Sequence, residues 1–343
     1  MDIPPDLIES KNRAEPTLLR LPGVTGVGIG TRETDGRRVD EPAVRIYVED
    51  ARAVSSEVPR AIGGVAVSLI EMRIEPCGGP DRARYDPLKG GIRISHPAHG
   101  FGTLGAIVRR VADAGPEPTA YGLTTCHVVG TGDESFPDVV WQPHEPEPVS
   151  PIPTGDSVGE VAAAEYPRSA PIPPGAPLVS DVDAAIFTLD LARANTRRVS
   201  TAIVGVDPES DLVTAITESS WPQIGQAVRK RGSATGVTRG EVVDVHLTCR
   251  WTPGGPNCYL AEQAMVDGIP SIDDPGGIFC SPGDSGALVL DDSAPTAVGL
   301  LYGRGERPRR ESDVAHGVFS KMRNVESALG VIAVWSAPGV IAS

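Results

Sequence analysis

The sequence predicts a mainly β protein in which a small α/β unit precedes a larger, β-rich part. Glycine (39) and proline (33) are plentiful in the 343 residues and aromatic residues make up only 4%, so the chain breaks into short segments joined by turns. Hydrophobic residues are 40% and charged residues 22% of the chain, as in proteins that bury a core and fold without a partner. From Gly90 onward, β-like runs such as 102–109 and 241–248 recur between Gly and Pro turns, which favours sandwich or barrel architecture over a helix bundle.

The N-terminal part has a different pattern, in which helical and strand-like stretches alternate. A helical stretch ends before Pro22-Gly23, and alternating apolar and polar residues follow it. The predicted order is α-β-β-α-β, with elements at about 5–20, 24–31, 43–48, 51–62 and 65–74.

Breaker-rich segments predict the domain boundaries. The run from Pro76 to Pro80 contains two prolines and two glycines, so we expect an α/β domain at 1–80, a linker at 81–88 and a β-rich domain at 89–343. The proline-heavy stretch 143–177 is predicted to be a surface excursion around one strand. A short helix is expected at 320–329.

The charge balance limits the classes of partner. The formal net charge is −14 at pH 7, and phosphate backbones and anionic lipids require clustered Lys and Arg, so we expect no nucleic acid and no membrane partner. The first fifteen residues are acidic and lack the basic start and apolar stretch of a secretory signal, and no window approaches a transmembrane span. The sequence therefore predicts a cytoplasmic protein, and it leaves self-association open.

The five cysteines are expected to be reduced, because an odd number without an export signal is typical of cytoplasmic thiols. A disulfide between Cys249 and Cys258, which flank a Pro-Gly-Gly-Pro tip, is left open. A zinc site would draw its ligands from these two, Cys126, His127 and Cys280, but Cys-x-x-Cys or His-x-x-x-His spacing is lacking. We therefore expect no metal and no cofactor.

The strongest chemical signal is the turn Gly283-Asp284-Ser285-Gly286, which presents a serine immediately before an apolar strand. The two glycines let the backbone bend closely around the hydroxyl, and the amides of Gly283 and Ser285 would then form an oxyanion hole. An ordinary turn explains the four residues equally well when they are taken alone.

The flanking residues decide between these readings, because Gly283 to Leu288 followed by Ala297 to Leu301 resembles the nucleophile turn and next strand of trypsin-like serine peptidases. The resemblance implies a histidine and then an aspartate upstream. His127 follows the β-like run Tyr121 to Thr125, as at that family's general base. The alternative is a buried structural histidine beside Cys126, a residue that departs from the family pattern.

Asp183 resembles the family's third residue, the acid that orients the base, because Ala185 and Ile186 follow it where the family has a small and an aliphatic residue. Asp181 is the alternative and is expected to be a solvated strand-start aspartate. Asp183 lies 56 residues after His127 and 102 before Ser285, which leaves room for one barrel around the first pair and another around the serine.

Three further stretches strengthen the resemblance. Residues 228–240 are similar to the start of the second barrel in bacterial enzymes, and their basic side chains are read as a solvated strand and turn or as an anion patch. Gly90 to Ser95 resembles the start of the first barrel, and Gly23 to Gly30 resembles a small domain that precedes the protease in bacterial relatives. Together the motifs resemble the bacterial and plant narrow-leaf-type branch. The implied fold is a chymotrypsin-like double β-barrel, with barrels at about 89–200 and 201–335.

The function that the resemblance implies is a cofactor-free serine endopeptidase that acts on proteins or peptides through an acyl-enzyme. A binding or scaffold protein without turnover and an esterase are the alternatives. The implied pocket floor lies about six residues before the nucleophile, near Phe279. Because this position is not acidic, a small or apolar P1 side chain is expected instead of Lys or Arg. Since Gly90-Gly91-Ile92 is internal, we expect no proteolytic activation. The implied pocket residues are Phe279, Leu301, Tyr302 and Gly303.

Overall fold

In this computed structural model, the described residues form a mainly β fold with a small α/β unit at its N-terminus, and this confirms the predicted fold class. No helix among these residues is long and apolar enough to cross a membrane. The described residues are 3–34, 37–54, 56–75, 81–113, 119–130, 138–143, 156–167, 178–189, 197–205, 210–251, 253, 258–270, 277–306 and 316–334.

The N-terminal unit has the predicted order of helices and strands, with two additional short strands and a shorter second helix. That helix was predicted to reach Ile62, but Ala61 and Ile62 instead pair with Ala66 and Val65. The reason is the Gly63-Gly64 pair, whose positive φ angles of 60° and 78° form a tight turn. The elements are α1 (Pro5–Leu18), β1 (Val24–Thr34), β2 (Arg37–Val48), α2 (Ala51–Val54), β3 (Ala61–Ile62), β4 (Val65–Glu71) and β5 (Arg73–Glu75).

Short strands dominate the rest of the chain, as the turn-rich sequence predicts. The elements up to residue 213 are β6 (Leu88–Gly90), β7 (Ile92–His96), β8 (Gly100–Leu104), β9 (Ala106–Arg110), β10 (Ala120–Thr124), α3 (Cys126–Val129), β11 (Val139–Trp141), β12 (Ser157–Glu165), β13 (Leu178–Ser180), β14 (Ala184–Thr188), β15 (Val199–Val204) and β16 (Asp211–Val213). Those after it are β17 (Glu218–Ser219), β18 (Ala227–Gly232), β19 (Gly236–Arg250), β20 (Cys258–Gly268), β21 (Leu288–Asp291), β22 (Thr296–Glu306), β23 (His316–Lys321), α4 (Met322–Leu329) and β24 (Val331–Ile332).

The first β-unit comprises β6 to β12, β14 to β16 and β24, and its strands form two sheets. The larger sheet has the order β24-β9-β10-β14-β12-β11-β7-β8, and the smaller one has the order β16-β15-β6. Buried apolar residues of these strands, such as Ile92, Leu104 and Phe187, form its core. Most of the predicted excursion at 143–177 lies outside the described residues, apart from β12 and its immediate flanks.

The second β-unit, which comprises β13 and β17 to β23, shares one sheet with the N-terminal unit. The strands along its main path have the order β13-β20-β23-β22-β21-β18-β19-β1-β2-β4-β3. The two units join where β1 pairs antiparallel with β19. Buried hydrogen bonds stabilise the junction. Arg45 donates to the carbonyl oxygen of Val243 (2.9 Å), and the Tyr47 hydroxyl donates to Asp244 (3.0 Å). Burial raises the pKa of Asp244 despite these neighbours.

Glu262 of β20 accepts hydrogen bonds from His246 (2.7 Å) and Lys321 (3.1 Å). Burial alone would raise the pKa of Glu262, but the His246 hydrogen bond and the Lys321 charge outweigh it and lower the pKa from 4.5 to about 2. A lowered folded-state pKa means that the carboxylate stabilises the fold above pH 4.5 and that this stabilisation is lost as the pH falls towards 2.

Glu262→Gln should therefore lower the free energy of unfolding at pH 7, and the difference from the wild type should shrink between pH 4.5 and 2. Urea unfolding across that pH range measures it. Glu218→Gln, at an exposed position, is the control and should track the wild type throughout. A difference at Glu262 that stays constant with pH would contradict the assignment.

Candidate active site

His127 and Asp183 meet because their strands are neighbours. His127 lies in α3, directly after β10, and Asp183 directly precedes β14, which pairs antiparallel with β10. The His127 Nδ1 atom lies 2.6 Å from Asp183 Oδ2, and the His127 backbone N–H donates to Oδ1 at 3.2 Å. The two hydrogen bonds fix both the ring and the backbone of His127 relative to the carboxylate.

The carboxylate of Asp183 is fully buried and has a third donor. The indole Nε1–H of Trp251 donates to Oδ2 at 2.7 Å, and the backbone N–H of Asp183 itself donates to Ser320 Oγ at 3.3 Å. Asp181, the alternative considered from the sequence, is exposed. The structure thus brings Asp183, and not Asp181, to the histidine.

The Ser285 turn from the second β-unit is docked onto β8 of the first. The Thr103 N–H donates to the Ser285 carbonyl oxygen (2.7 Å), and the Thr103 hydroxyl donates to that of Gly283 (2.6 Å). Gly286 has a φ of +93°, and a Cβ atom there would lie 2.3 Å from Thr124 Oγ1, so this position requires glycine. Thr124 precedes His127 by three residues, so the turn lies beside the segment that carries the histidine.

The hydroxyl of Ser285 donates to the carbonyl oxygen of Tyr302 at 3.2 Å. Within the described residues it makes no hydrogen bond to His127. The side chain of His127 is 11% exposed, whereas Ser285 is fully buried. Among the described residues the backbone N–H groups of Gly283 and Ser285 have no backbone acceptor, and Gly283 has a φ of +103°. These two amides are therefore available to an oxyanion.

Asp284, between the glycine and the serine of the turn, is held by a buried lysine. Lys230 Nζ lies 3.0 Å from Asp284 Oδ2, and neither side chain is exposed. The backbone N–H groups of Ala234 (2.8 Å) and Ser281 (3.0 Å) and the hydroxyl of Thr235 (2.7 Å) also donate to this carboxylate. The conformation of the turn thus depends on an internal cation.

For Lys230 and Arg231 this finding corrects both sequence interpretations of the basic stretch at 228–240, whereas Arg239 is exposed, as the solvated interpretation predicts. Lys230 is neither solvated nor part of an anion patch, and Arg231 is also buried and pairs with Asp81 at 3.2 Å. The reason is strand alternation: Lys230 points to the same face of β18 as the buried Val228. That period-2 pattern was the signal in the sequence that could have revealed the lysine.

The four residues predicted to line a substrate pocket are all buried. Phe279 and Leu301 lie in the core of the second β-unit and expose no surface. A Cβ atom on Gly317 would lie 2.5 Å from the Phe279 ring, so the ring fills the space beside that strand. The Gly303 carbonyl oxygen lies 3.6 Å from the thiol of Cys280.

The disulfide that the sequence left open is not formed, because Cys249 and Cys258 are both reduced thiols. Cys249 is paired with Leu260, so Cys258 is displaced along the neighbouring strand. The Cys249 thiol instead shares a hydrogen bond of 2.9 Å with the Tyr302 hydroxyl. Burial raises the pKa of Cys249 to about 12, and burial beside this thiol raises that of Tyr302.

Cys126, the departure from the family pattern, is buried in the core of the first β-unit and donates to the carbonyl oxygen of Gly130 (3.6 Å). Among the described residues, no group of three or more His, Cys, Asp and Glu side chains is placed to hold a metal ion. Trp251 was missed from the sequence, since nothing local indicates that it contacts an aspartate 68 residues earlier.

Comparisons with known proteins find similarity at the level of structure. No protein-family model matches the chain, and no curated protein matches it. Thermobifida fusca protease A is 17% identical, with a TM-score of 0.47, and the match covers 73% of this chain and 100% of that one. Cellulomonas bogoriensis chymotrypsin is 14% identical, with a TM-score of 0.46 and the same coverage. A glutamic-acid-specific serine protease is 15% identical, with a TM-score of 0.47, covering 71% of this chain and 98% of that one.

Proposed function

We propose that this protein is a serine endopeptidase in which Ser285 is the nucleophile, His127 the general base and Asp183 the acid that orients the base. The observation that carries the proposal is the buried Asp183–His127 pair beside a glycine-flanked serine turn with two free amides. A serine hydroxyl becomes nucleophilic only when such a base accepts its proton.

Acyl transfer uses each of these groups in turn. The Ser285 hydroxyl rotates from Tyr302 towards His127 and gives it a proton as the oxygen attacks the peptide carbonyl carbon. The backbone N–H groups of Gly283 and Ser285 stabilise the resulting oxyanion. The protonated His127 then gives the proton to the leaving amine. Water hydrolyses the acyl-enzyme by the same route in reverse.

Labelling by a fluorophosphonate probe tests the proposal, because such probes react with activated serines. Ser285→Ala should abolish labelling at neutral pH, and His127→Ala should slow it by at least about 10²-fold, the usual contribution of a general base. Ser281→Ala, in the same turn, is the control and should label like the wild type. A folded wild-type protein that stays unlabelled would overturn the proposal.

A binding or scaffold protein on the same fold is the second candidate. Two observations favour it: Ser285 is fully buried, and its hydroxyl is bonded to Tyr302 instead of His127. Labelling of Ser285 rules this candidate out. An esterase would label in the same way, so a comparison of peptide with ester substrates separates it from an endopeptidase.

The proposed setting is the cytoplasm, with proteins or peptides as substrates, neither nucleic acid nor membrane as a partner, and self-association still to be measured. None of the four described cysteines is in a disulfide, in keeping with a reducing compartment.

A further inference from the structure

Trp251 occupies a place in the site that its distance along the chain does not suggest. It directly follows the last residue of β19, and its backbone N–H donates to the Cys258 carbonyl oxygen (2.8 Å), which fixes it to the start of β20. Its ring is nearly buried and contacts the ring of Tyr166, with the centroids 5.8 Å apart. From this position the indole N–H donates to Asp183 Oδ2.

Oxygen Oδ2 of Asp183 is shared between two donors. The Trp251 indole approaches to 2.7 Å and the His127 ring to 2.6 Å, while Oδ1 accepts the His127 backbone N–H. A buried carboxylate with a donor on each side cannot rotate without breaking a charge-assisted hydrogen bond. Trp251 thereby fixes the plane of the carboxylate that in turn fixes the imidazole.

We infer that Trp251 is a positioning residue of the active site, which acts on Ser285 chemistry through Asp183 and His127. The inference rests on the proposed function. The titratable groups that face Asp183 are His127 from α3 and Tyr302 from β22, with Cys249 of β19 behind Tyr302. Because burial raises the pKa values of Tyr302 and Cys249, both stay neutral across the working range.

Trp251→Phe removes the N–H and keeps an aromatic ring against Tyr166. We expect kcat on a peptide substrate to fall by about tenfold with KM unchanged, as for loss of one hydrogen bond to a charged group. The acid-side limb of the kcat/KM profile should move to higher pH, because Asp183 with one donor fewer holds the protonated imidazole more strongly. Trp221→Phe, at an exposed tryptophan, is the control and should leave kcat unchanged.

Two further measurements keep the inference testable if Trp251→Phe is unstable or if the wild type has no activity. Tyr166→Leu removes the packing on Trp251 but keeps its N–H, so it should lower stability and leave kcat intact. The low-field proton resonance of the His127–Asp183 hydrogen bond should be sharp in the wild type and broadened in Trp251→Phe, whether or not the protein turns over. Unchanged kcat, pH profile and resonance in Trp251→Phe would overturn the inference.

A separate observation concerns strand β5, whose pairing with the edge of β22 begins two residues beyond Tyr302. One edge of β22 is paired with β23 from Gly299 to Gly305. The opposite edge is paired with β21 as far as Leu300 and with β5 at residues 304–306. Between these two pairings lies Tyr302, whose carbonyl oxygen accepts the Ser285 hydroxyl.

Strand β5 lies along the same edge of β22 as the gap beside Tyr302. It runs antiparallel to β22, with Arg73 opposite Glu306 and Glu75 opposite Arg304, so it heads along the edge towards Tyr302. Extended peptides bind many proteins by adding a strand to a free sheet edge, where main-chain hydrogen bonds supply the affinity. A peptide that follows this edge past Tyr302 would reach residues 304–306, where β5 already occupies the backbone groups.

The N-terminal unit anchors β5 in this place. Met72, which directly precedes β5, is fully buried, and its backbone N–H donates to the Val48 carbonyl oxygen at 2.8 Å. Its own carbonyl oxygen accepts from the Thr25 hydroxyl at 3.0 Å. A Cβ atom on Gly305 would lie 2.4 Å from the Met72 sulfur, so the anchor packs directly on β22.

We propose that β5 is an autoinhibitory strand, which must leave the β22 edge before a peptide can reach Ser285. This proposal also rests on the proposed function. Among the described residues, three residue pairs join β5 to β22, so its release is a local opening and does not require the rest of the sheet to unfold.

Ile74→Pro removes an amide N–H from β5 and should weaken its pairing, while Ile74→Val preserves the strand. We expect peptide hydrolysis to rise roughly tenfold in Ile74→Pro, mainly through a lower KM, because the competent state becomes more populated. In the double variant Glu75→Cys with Arg304→Cys, oxidation should lock β5 in place and suppress hydrolysis, and reduction should restore it in the same sample. Equal hydrolysis by the oxidised and reduced forms would overturn the proposal.

Binding of a labelled peptide that copies residues 69–75 tests the same edge without catalysis. It should bind Ile74→Pro and not the wild type, as measured by fluorescence anisotropy. Absence of binding to both proteins would count against the autoinhibitory strand. Failure of the proposed function is distinguishable, because it would leave every variant unlabelled by fluorophosphonate while the peptide still binds Ile74→Pro.

Discussion

Lys230→Met is expected to lower the free energy of unfolding by about 3 kcal/mol, because it leaves the Asp284 carboxylate buried without its cation. Neither side chain of this pair is exposed, so water cannot replace the lost ammonium group. Donors from Ala234, Ser281 and Thr235 remain, which places the expected cost at the lower end of the range for broken buried ion pairs.

The same substitution should slow fluorophosphonate labelling of Ser285, since Asp284 ties the nucleophile turn to β18 and to the start of β19. Guanidinium unfolding measures the stability change. Arg239→Met is the matched control: the Arg239–Asp292 pair has a similar distance of 2.9 Å but is largely exposed, so we expect less than about 1 kcal/mol there. Equal losses at the two sites would show that Lys230 has no special part in holding the turn.

The lysine also bears on the prediction that no proteolytic activation is needed. A buried aspartate next to a nucleophile requires a cation, and here the cation is an internal side chain that is present as soon as the chain folds. We therefore expect the full-length chain to hold its Ser285 turn in place without cleavage before Ile92.

Local motifs in the sequence identified the proposed catalytic residues, but not the residues that hold them in position. The turn at Ser285, the run into His127 and the start of β14 at Asp183 are each readable within about ten residues, because strand periodicity and glycine placement are local properties. The contact of Trp251 with Asp183 and the pairing of β5 with β22 join residues far apart in sequence. Such contacts depend on register and strand order, which single-chain periodicity does not encode.

The shared sheet shows the same limit at the level of the fold. The α-β-β-α-β order was readable from the N-terminal sequence, but the pairing of β1 with β19 was not. β1 alternates small and apolar residues, with Gly26, Gly28 and Gly30 on one face. A Cβ atom on Gly28 would lie 2.0 Å from Asp244, so these glycines permit the close approach of β19.

Asp183→Asn is expected to lower kcat by about 10⁴-fold while leaving the fold intact, because the substitution keeps the shape of the side chain and reverses one hydrogen bond. The carboxylate accepts from His127 Nδ1 at present, which leaves Nε2 free to take the Ser285 proton. An asparagine amide at 183 would donate to Nδ1 and place the ring proton on Nε2, so the imidazole could no longer act as base. The Trp251 indole N–H faces the same Oδ2 position, so an amide NH2 there would also cost the Trp251 hydrogen bond, and both changes act against His127 as the base.

Asp181→Asn is the matched control, two residues earlier on the same segment but exposed, and it should retain the wild-type kcat. Single-turnover labelling of Ser285 by fluorophosphonate measures both variants without the need for a known substrate. A rate in Asp183→Asn within tenfold of the wild type would mean that His127 is not the base for Ser285, whatever its distance from Asp183. A rate reduced in both variants would instead point to the charge of the segment, since Asp181 has no contact with the histidine among the described residues.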